Sequence, residues 1–209
     1  MERMEEKVPG VKYEPLQYFL SESNWDWRPV NNQVAKDADK LLGGRKNSAL
    51  LIDESGIPKK GKMSVGVSRQ WCGQLGKTDN CQVVVFATLG YGRFSTPIDF
   101  RLYLPKSWTD DKERCLKAKA RGWLAWHHHM TMVMMAMLFM VEQRLYHQVG
   151  VPLLSCADIT TLLKSILPRR DVNEDEVIRQ LRQRHEKRQA SIDFAYEKQP
   201  NCKLLPQPL

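Results

Sequence analysis

Asp53 ends a short apolar run, Ala49-Leu50-Leu51-Ile52, and is followed by the turn-forming residues Glu54-Ser55-Gly56 and Pro58. A carboxylate at the end of a buried strand can hold a divalent cation at a sheet edge. Two-metal phosphoryl transfer needs several such acids to converge, because the ions must activate the attacking oxygen and stabilise the leaving one. An ordinary strand-ending acid in a turn fits the same local pattern, and spacing alone favours it. Lys59, Lys60 and Lys62 follow, then Arg69, Lys77 and Arg93. Beside a metal site, such cations would hold DNA phosphates, the source of most non-specific affinity. Without Asp53 nearby, the same stretch reads as a solvated basic loop.

Three consecutive histidines, His127, His128 and His129, invite a metal reading. Successive helical residues point about 100° apart, so the three cannot share one face. Zinc sites on helices favour spacings such as i, i+4. Polar packing at a helix start, with partial contact to a nearby active site or DNA, is the expected role. The methionines at 130, 132, 134, 135, 137 and 140 read as adaptable core filling. Cys72 and Cys81 flank a turn and lack further ligands. The five cysteines form no CxxC pair, and no basic start and apolar segment of a secretory signal precedes them, which fits a reducing cytoplasm.

The elements that would position these residues are a set of strands between helices. Leu16, Phe19 and Leu20, then Val34, Ala38, Leu41 and Leu42, fall at helical spacing, with a turn-like Ser-Asn-Trp-Asp-Trp-Arg-Pro between them. Strands are expected at the run before Asp53, at Ser64–Val67, at Gln82–Ala87 and at Phe100–Leu104, as an antiparallel meander. A charged helix start is expected over Asp110–Arg121. Met130–Val141 is almost wholly apolar; at about 11 residues beyond Thr131 it is shorter than the ~20 a bilayer span needs, so a buried core helix on the sheet is expected, and no membrane. Ser155 with Asp158, and Asn173 with Glu176, mark helix starts, and Pro200, Pro206 and Pro208 mark a frayed tail.

The 209 residues carry a net charge of +8, with 42% hydrophobic content, enough for a packed core and against wholesale disorder. Residues 1–48 are net neutral and residues 122–209 net +2, whereas residues 49–121 carry +6. The excess therefore surrounds Asp53, which suits an anionic partner.

The string from Leu51 to Gly73, its continuation Leu75-Gly76-Lys77-Thr78-Asp79-Asn80-Cys81-Gln82-Val83, and the amino-terminal Leu16 to Asp26 are distinctive. So is Trp123 to Phe139 with its triple histidine and, further on, Pro152 to Ile159. Together they resemble DDE transposases of the bacterial insertion-sequence 701 group, which is related to the insertion-sequence 4 group. The resemblance covers nearly the whole chain. It implies an α/β (α+β) fold, a partial RNase H-like sheet with amino-terminal and carboxyl-terminal helices. The expected segments are an amino-terminal helical one (1–46), the first strands of the catalytic domain (47–121), and a closing helix with basic carboxyl-terminal helices (122–209).

The same resemblance implies an enzyme that binds transposon ends and transfers a DNA strand with Mg²⁺ held by Asp, Asp and Glu. The first acid falls on Asp53, as catalytic and metal-binding residue. Lys59, Lys60, Lys62, Arg69 and Arg93 become the nucleic-acid contacts. The pattern breaks at Arg121–Gly122, where two blocks that a long section separates in the family are joined directly. That section holds the second Asp and the Glu. Met1 also falls inside what resembles the family's amino-terminal region. The expectation is a truncated, internally deleted and inactive copy in the cytoplasm, with DNA as partner. It would form a homo-oligomer or a mixed assembly with an intact transposase. A non-catalytic DNA-binding or assembly-interfering fragment is the alternative, ahead of a structural or membrane-associated protein.

Overall fold

The structure is a computed structural model that describes residues 8–117, 122–168 and 171–197. The expected junction at Arg121, the end of the helix expected over Asp110–Arg121, and the proline-rich tail lie outside these residues. Two compact units are present, residues 14–167 and a smaller one pairing residues up to Tyr13 with those from Pro168 on. In the smaller unit α7 (Glu174–Glu197) starts where the Asn173 side chain accepts from the Glu176 amide at 2.9 Å, as its sequence signal predicts. Lys187 there lies 5.3 Å over the Tyr13 ring.

The larger unit opens with α1 (Tyr13–Ser21) and α2 (Trp27–Leu42). The stretch between them ends at Asp26, whose carboxylate accepts from the Arg28 amide at 3.0 Å and caps α2. Four strands follow: β1 (Ser48–Pro58), β2 (Ser68–Cys72), β3 (Lys77–Tyr91) and β4 (Phe94–Leu102). Short helices α3 (Lys106–Thr109) and α4 (Lys112–Lys117) lead on, and α5 (Trp123–Tyr146) and α6 (Cys156–Ile166) close the unit. Ser155 and Asp158 form the capping box of α6. This is a mixed α/β architecture, in keeping with the fold class the sequence implies.

The sheet is antiparallel throughout but is not the expected meander. β3 is its hub: β1 pairs along one side, from Ser48↔Tyr91 to Pro58↔Cys81, and β2 and β4 also pair with β3. The length of β3 explains this. Its 15 residues, rich in β-branched side chains, offer enough backbone to serve three partners.

Two local readings are corrected. Ser64–Val67 is a turn and not a strand. Gly66 takes φ +74°, and the Val67 amide donates back to the Ser64 carbonyl at 3.1 Å. Val65 and Val67 are nonetheless buried, so their alternation reports burial without a strand. Asp53 does not end its strand either: β1 runs on to Pro58, because Glu54–Pro58 continue the ladder against Val85–Cys81. Gly56 serves a close approach there, since a Cβ on it would meet the Cys72 Cα at 3.0 Å.

The core lies between the sheet and helices α2 and α5. Trp27 and Val34 from α2 pack with Met130 and Met134 from α5 and with Val84, Phe100 and Leu102 from the strands; Trp108 and Val65 complete the cluster. A smaller cluster joins Leu42, Phe94 and Val141. Burial on this scale is the dominant stabilising term, ~25 cal/mol per Å² of apolar surface removed from water. α5 binds by one face only. His127, His128, Met130, Thr131, Met134 and Val141 are buried, while Met132, Met135, Met137 and Phe139 are exposed, so the helix is not buried all round as its composition suggests. At 24 residues it is also the one helix, among the described residues, long and apolar enough to cross a membrane. Its packing against α2 and β4 is that of a core helix.

β1 departs furthest from expectation. Its apolar run is exposed rather than buried: Leu50 is 59%, Leu51 54% and Ile52 69% accessible. β1 pairs with β3 on one edge, and neither α2 nor α5 covers it, so nothing described shields the run.

Candidate functional site

Asp53 sits midway along β1, across from Phe86, which in turn faces Phe100 on β4. It is exposed, and its Oδ1 accepts from the backbone amide of Glu54 at 2.8 Å. An open cleft of about 400 Å³ lies beside it, bordered by Leu51, Asp53, Glu54, Ser55, Phe86, Thr88 and, from α5, Met137. Strand alternation sends Glu54 away from Asp53, yet both reach this cleft, because it opens at the edge of an uncovered strand. Their carboxylates are, among the described residues, the only acids on its wall. Among the described residues, no group of three or more His, Cys, Asp or Glu side chains could hold a metal ion. Asp99 is occupied elsewhere: it pairs with Arg101 at 3.1 Å and accepts from Asn31 at 3.3 Å. Glu142 is exposed on α5.

The histidines are packing groups. His127 Nδ1 lies 2.7 Å from the Trp123 carbonyl, and its ring stacks on Trp27 at 4.4 Å. Burial pushes its pKa below the ordinary value, with nearby Arg28 and Arg101 adding to the effect, so it is neutral near pH 7. His128 is fully buried and stacks on Trp25 at 3.9 Å. Its Nδ1 faces the Leu20 carbonyl at 3.1 Å and its Nε2 the Trp25 carbonyl at 2.9 Å. One side chain thus ties residues 20–25 to α5, a fold role that the spacing of the triplet does not reveal. His129 is exposed.

The basic residues divide. Lys60, Lys62 and Arg69 line one cleft of about 440 Å³, together with Ser68, Asn80, Ser107 and Arg114. Lys59 is outside it; its backbone joins the sheet, with its amide donating to the Asn80 carbonyl at 2.9 Å. Arg93 is also outside, in the β3–β4 turn, 5.2 Å over the Phe94 ring. Arg114 is the residue sequence reasoning missed. Its guanidinium lies 4.0 Å over Trp108 and donates to the carbonyls of Ser107, Lys62 and Val67 at 3.0–3.2 Å. Trp108 Nε1 donates to the same Val67 carbonyl at 2.7 Å. The 62–67 loop is thereby fixed, and the cleft has a rigid cationic wall. Nothing in local spacing links Arg114 to Lys62; only the return of the chain through α3 and α4 does.

Cys72 and Cys81 are buried and unbridged. Burial, with the neighbouring Cys72, pushes the Cys81 thiol upward, which disfavours its reactive thiolate.

Comparison with known proteins agrees with this architecture. Residues 1–149 match the family described as DDE superfamily endonuclease. A protein named probable transposase for insertion sequence element IS701, from Microchaete diplosiphon, is 36% identical over 101 residues. That match covers 48% of this chain and 26% of the relative, so the chain aligns with about a quarter of that protein's length. No solved structure matches. Members of this superfamily generally work with divalent metal ions. With the family match extending over most of the chain, this chain belongs to the DDE superfamily of endonucleases.

Proposed function

We propose that this chain is a transposase homologue that holds DNA on the cleft of Lys60, Lys62 and Arg69 and does not cut it unaided. The observation that carries the reading is the isolation of Asp53. In-line displacement at phosphorus needs acids on more than one element, holding two ions about 4 Å apart. Asp53 and Glu54 are adjacent on one strand, and among the described residues no third acid borders their cleft. That donor set does not fit a two-metal centre, although a lone carboxylate can hold a hydrated Mg²⁺ loosely. Asp53 is the first acid of the family's triad. The second Asp and the Glu belong to a section missing between Arg121 and Gly122. The exposed apolar residues of β1 and α5 support this, since such a section would cover them.

Transposases act on DNA, and the cytoplasm is the expected setting. The missing acids can come in trans, from an intact relative in a mixed assembly. The test is purified protein on a nicked transposon-end duplex with Mg²⁺ or Mn²⁺, alone and mixed with an intact relative. No cleavage is expected from the chain alone. Cleavage by the chain alone that disappears in Asp53→Ala overturns the reading, and cleavage only in the mixture supports assembly in trans.

A further inference from the structure

The Trp71 side chain stands out of the fold. It lies on β2 with 58% of its surface accessible, and among the described residues no ring or cation packs on it. Its surroundings are unusual for a stray apolar side chain. Alternation along β2 puts it on the same face as Arg69, about 6.6 Å away along the strand. Arg69 borders the basic cleft with Lys60 and Lys62. Across the ladder, Arg69 faces Asn80 and Trp71 faces Thr78, both uncharged. The hairpin's acid, Asp79, pairs with Gln70 and so takes the other face, where Lys77 holds it at 3.1 Å. Among the described residues, that face therefore presents an indole and cations with no carboxylate paired to them.

The support beneath the indole is stiff. The Trp71 carbonyl accepts from the buried Cys81 thiol at 3.7 Å, and Cys72 beside it is fully buried with its thiol toward the Gly56 carbonyl at 3.5 Å. β2 pairs with β3 alone, which leaves its far side open. A fixed, solvent-facing aromatic surface next to positive charge is the arrangement that takes a nucleobase on its π face and the adjoining phosphates on the cations.

We propose that Trp71, with Arg69 and the Lys60–Lys62 loop, is a landing site for an unpaired DNA nucleotide. The face of a paired base is covered by its neighbours in the stack, so the ligand is a single-stranded tail or a frayed end rather than an intact duplex. The proposal rests on the DNA-binding reading above and adds to it the form of DNA preferred.

The test uses the full chain and two labelled probes, a blunt DNA duplex and the same duplex carrying an unpaired thymidine tail, followed by fluorescence anisotropy. A third probe carries 2-aminopurine in the tail. The wild-type chain is expected to bind the tailed duplex more tightly and to quench 2-aminopurine. Trp71→Ala should weaken tailed-duplex binding about 5- to 100-fold, leave blunt-duplex binding unchanged and abolish the quenching, while Trp71→Phe keeps part of the preference. Because Trp71 is exposed, circular dichroism of the variants should match the wild type. Equal losses on both duplexes, or no loss on the tailed one, overturn the proposal. Blunt-duplex binding with no preference for the tail sinks this proposal alone. Absence of binding to every probe at low salt sinks the DNA-binding reading with it.

Discussion

The basic cleft makes a quantitative prediction about salt. Each phosphate neutralised by a lysine or arginine contributes about −0.9 to the slope of log K against log salt on duplex DNA. Lys60, Lys62 and Arg69 border the cleft and form no ion pair among the described residues, so all three are available to phosphates. Replacing all three by alanine should therefore lower the slope by about 2.7. Between 50 and 200 mM salt, such contacts account for about a 40-fold change in affinity. Lys59→Ala and Arg93→Ala are the controls. Sequence places them with the other three, but neither lines the cleft: Lys59 joins the sheet through its backbone, and Arg93 lies over Phe94 in the β3–β4 turn. Anisotropy titrations of a blunt duplex across that salt range measure each slope. If the triple variant keeps the wild-type slope, DNA lies elsewhere, and the carboxyl-terminal helix α7 is the next place to look. If Lys59→Ala or Arg93→Ala lowers the slope as much as a cleft residue does, the cleft is not the unit of recognition.

Two further predictions concern the fold. His127 titrates below its ordinary value of 6.5 in the folded chain, mainly through burial. The unfolded chain therefore binds more protons between the folded value and 6.5, and stability falls as pH drops through that window. Urea unfolding at about pH 7.5 and 5.5 should show the loss, and His127→Gln should reduce it; an unchanged pH dependence in that variant refutes the assignment. On β1, Ile52→Lys places a charge on an open edge at a side chain that is 69% exposed. It should reduce self-association in sedimentation without lowering the melting temperature, and a fall of several degrees would mean Ile52 is packed.

Much of the fold is readable from local pattern. The β-branched Val83-Val84-Val85 run marks β3 as surely as the apolar Met130–Val141 run marks α5, although neither run tells which face is covered. Ser155 and Asn173 announce their helices through side-chain chemistry that acts within a single turn. What fails is inference from apolar content to burial. Leu50, Leu51 and Ile52 read as a core strand, but burial is decided by what folds over them, and no local pattern carries that. Val65 and Val67 fail in the opposite sense: both are buried, in a turn set by Gly66. For the site, Lys60, Lys62 and Arg69 come together because one loop and one strand carry them. Arg114 joins them only through a tertiary return, and Trp71 stands out only once its partners on the hairpin are known.

The dependence of the sheet on β3 has a consequence for synthesis. β1 leaves the ribosome first, carrying the most apolar exposed run in the sheet, and none of its pairing partners exists until residues 81–91 follow. Pro58↔Cys81 closes the shortest loop of the ladder and Ser48↔Tyr91 the longest, so closure from Pro58 outward costs the least chain entropy. A nascent chain stalled before Cys81 holds Leu50, Leu51 and Ile52 unpaired, in the form that chaperones grip.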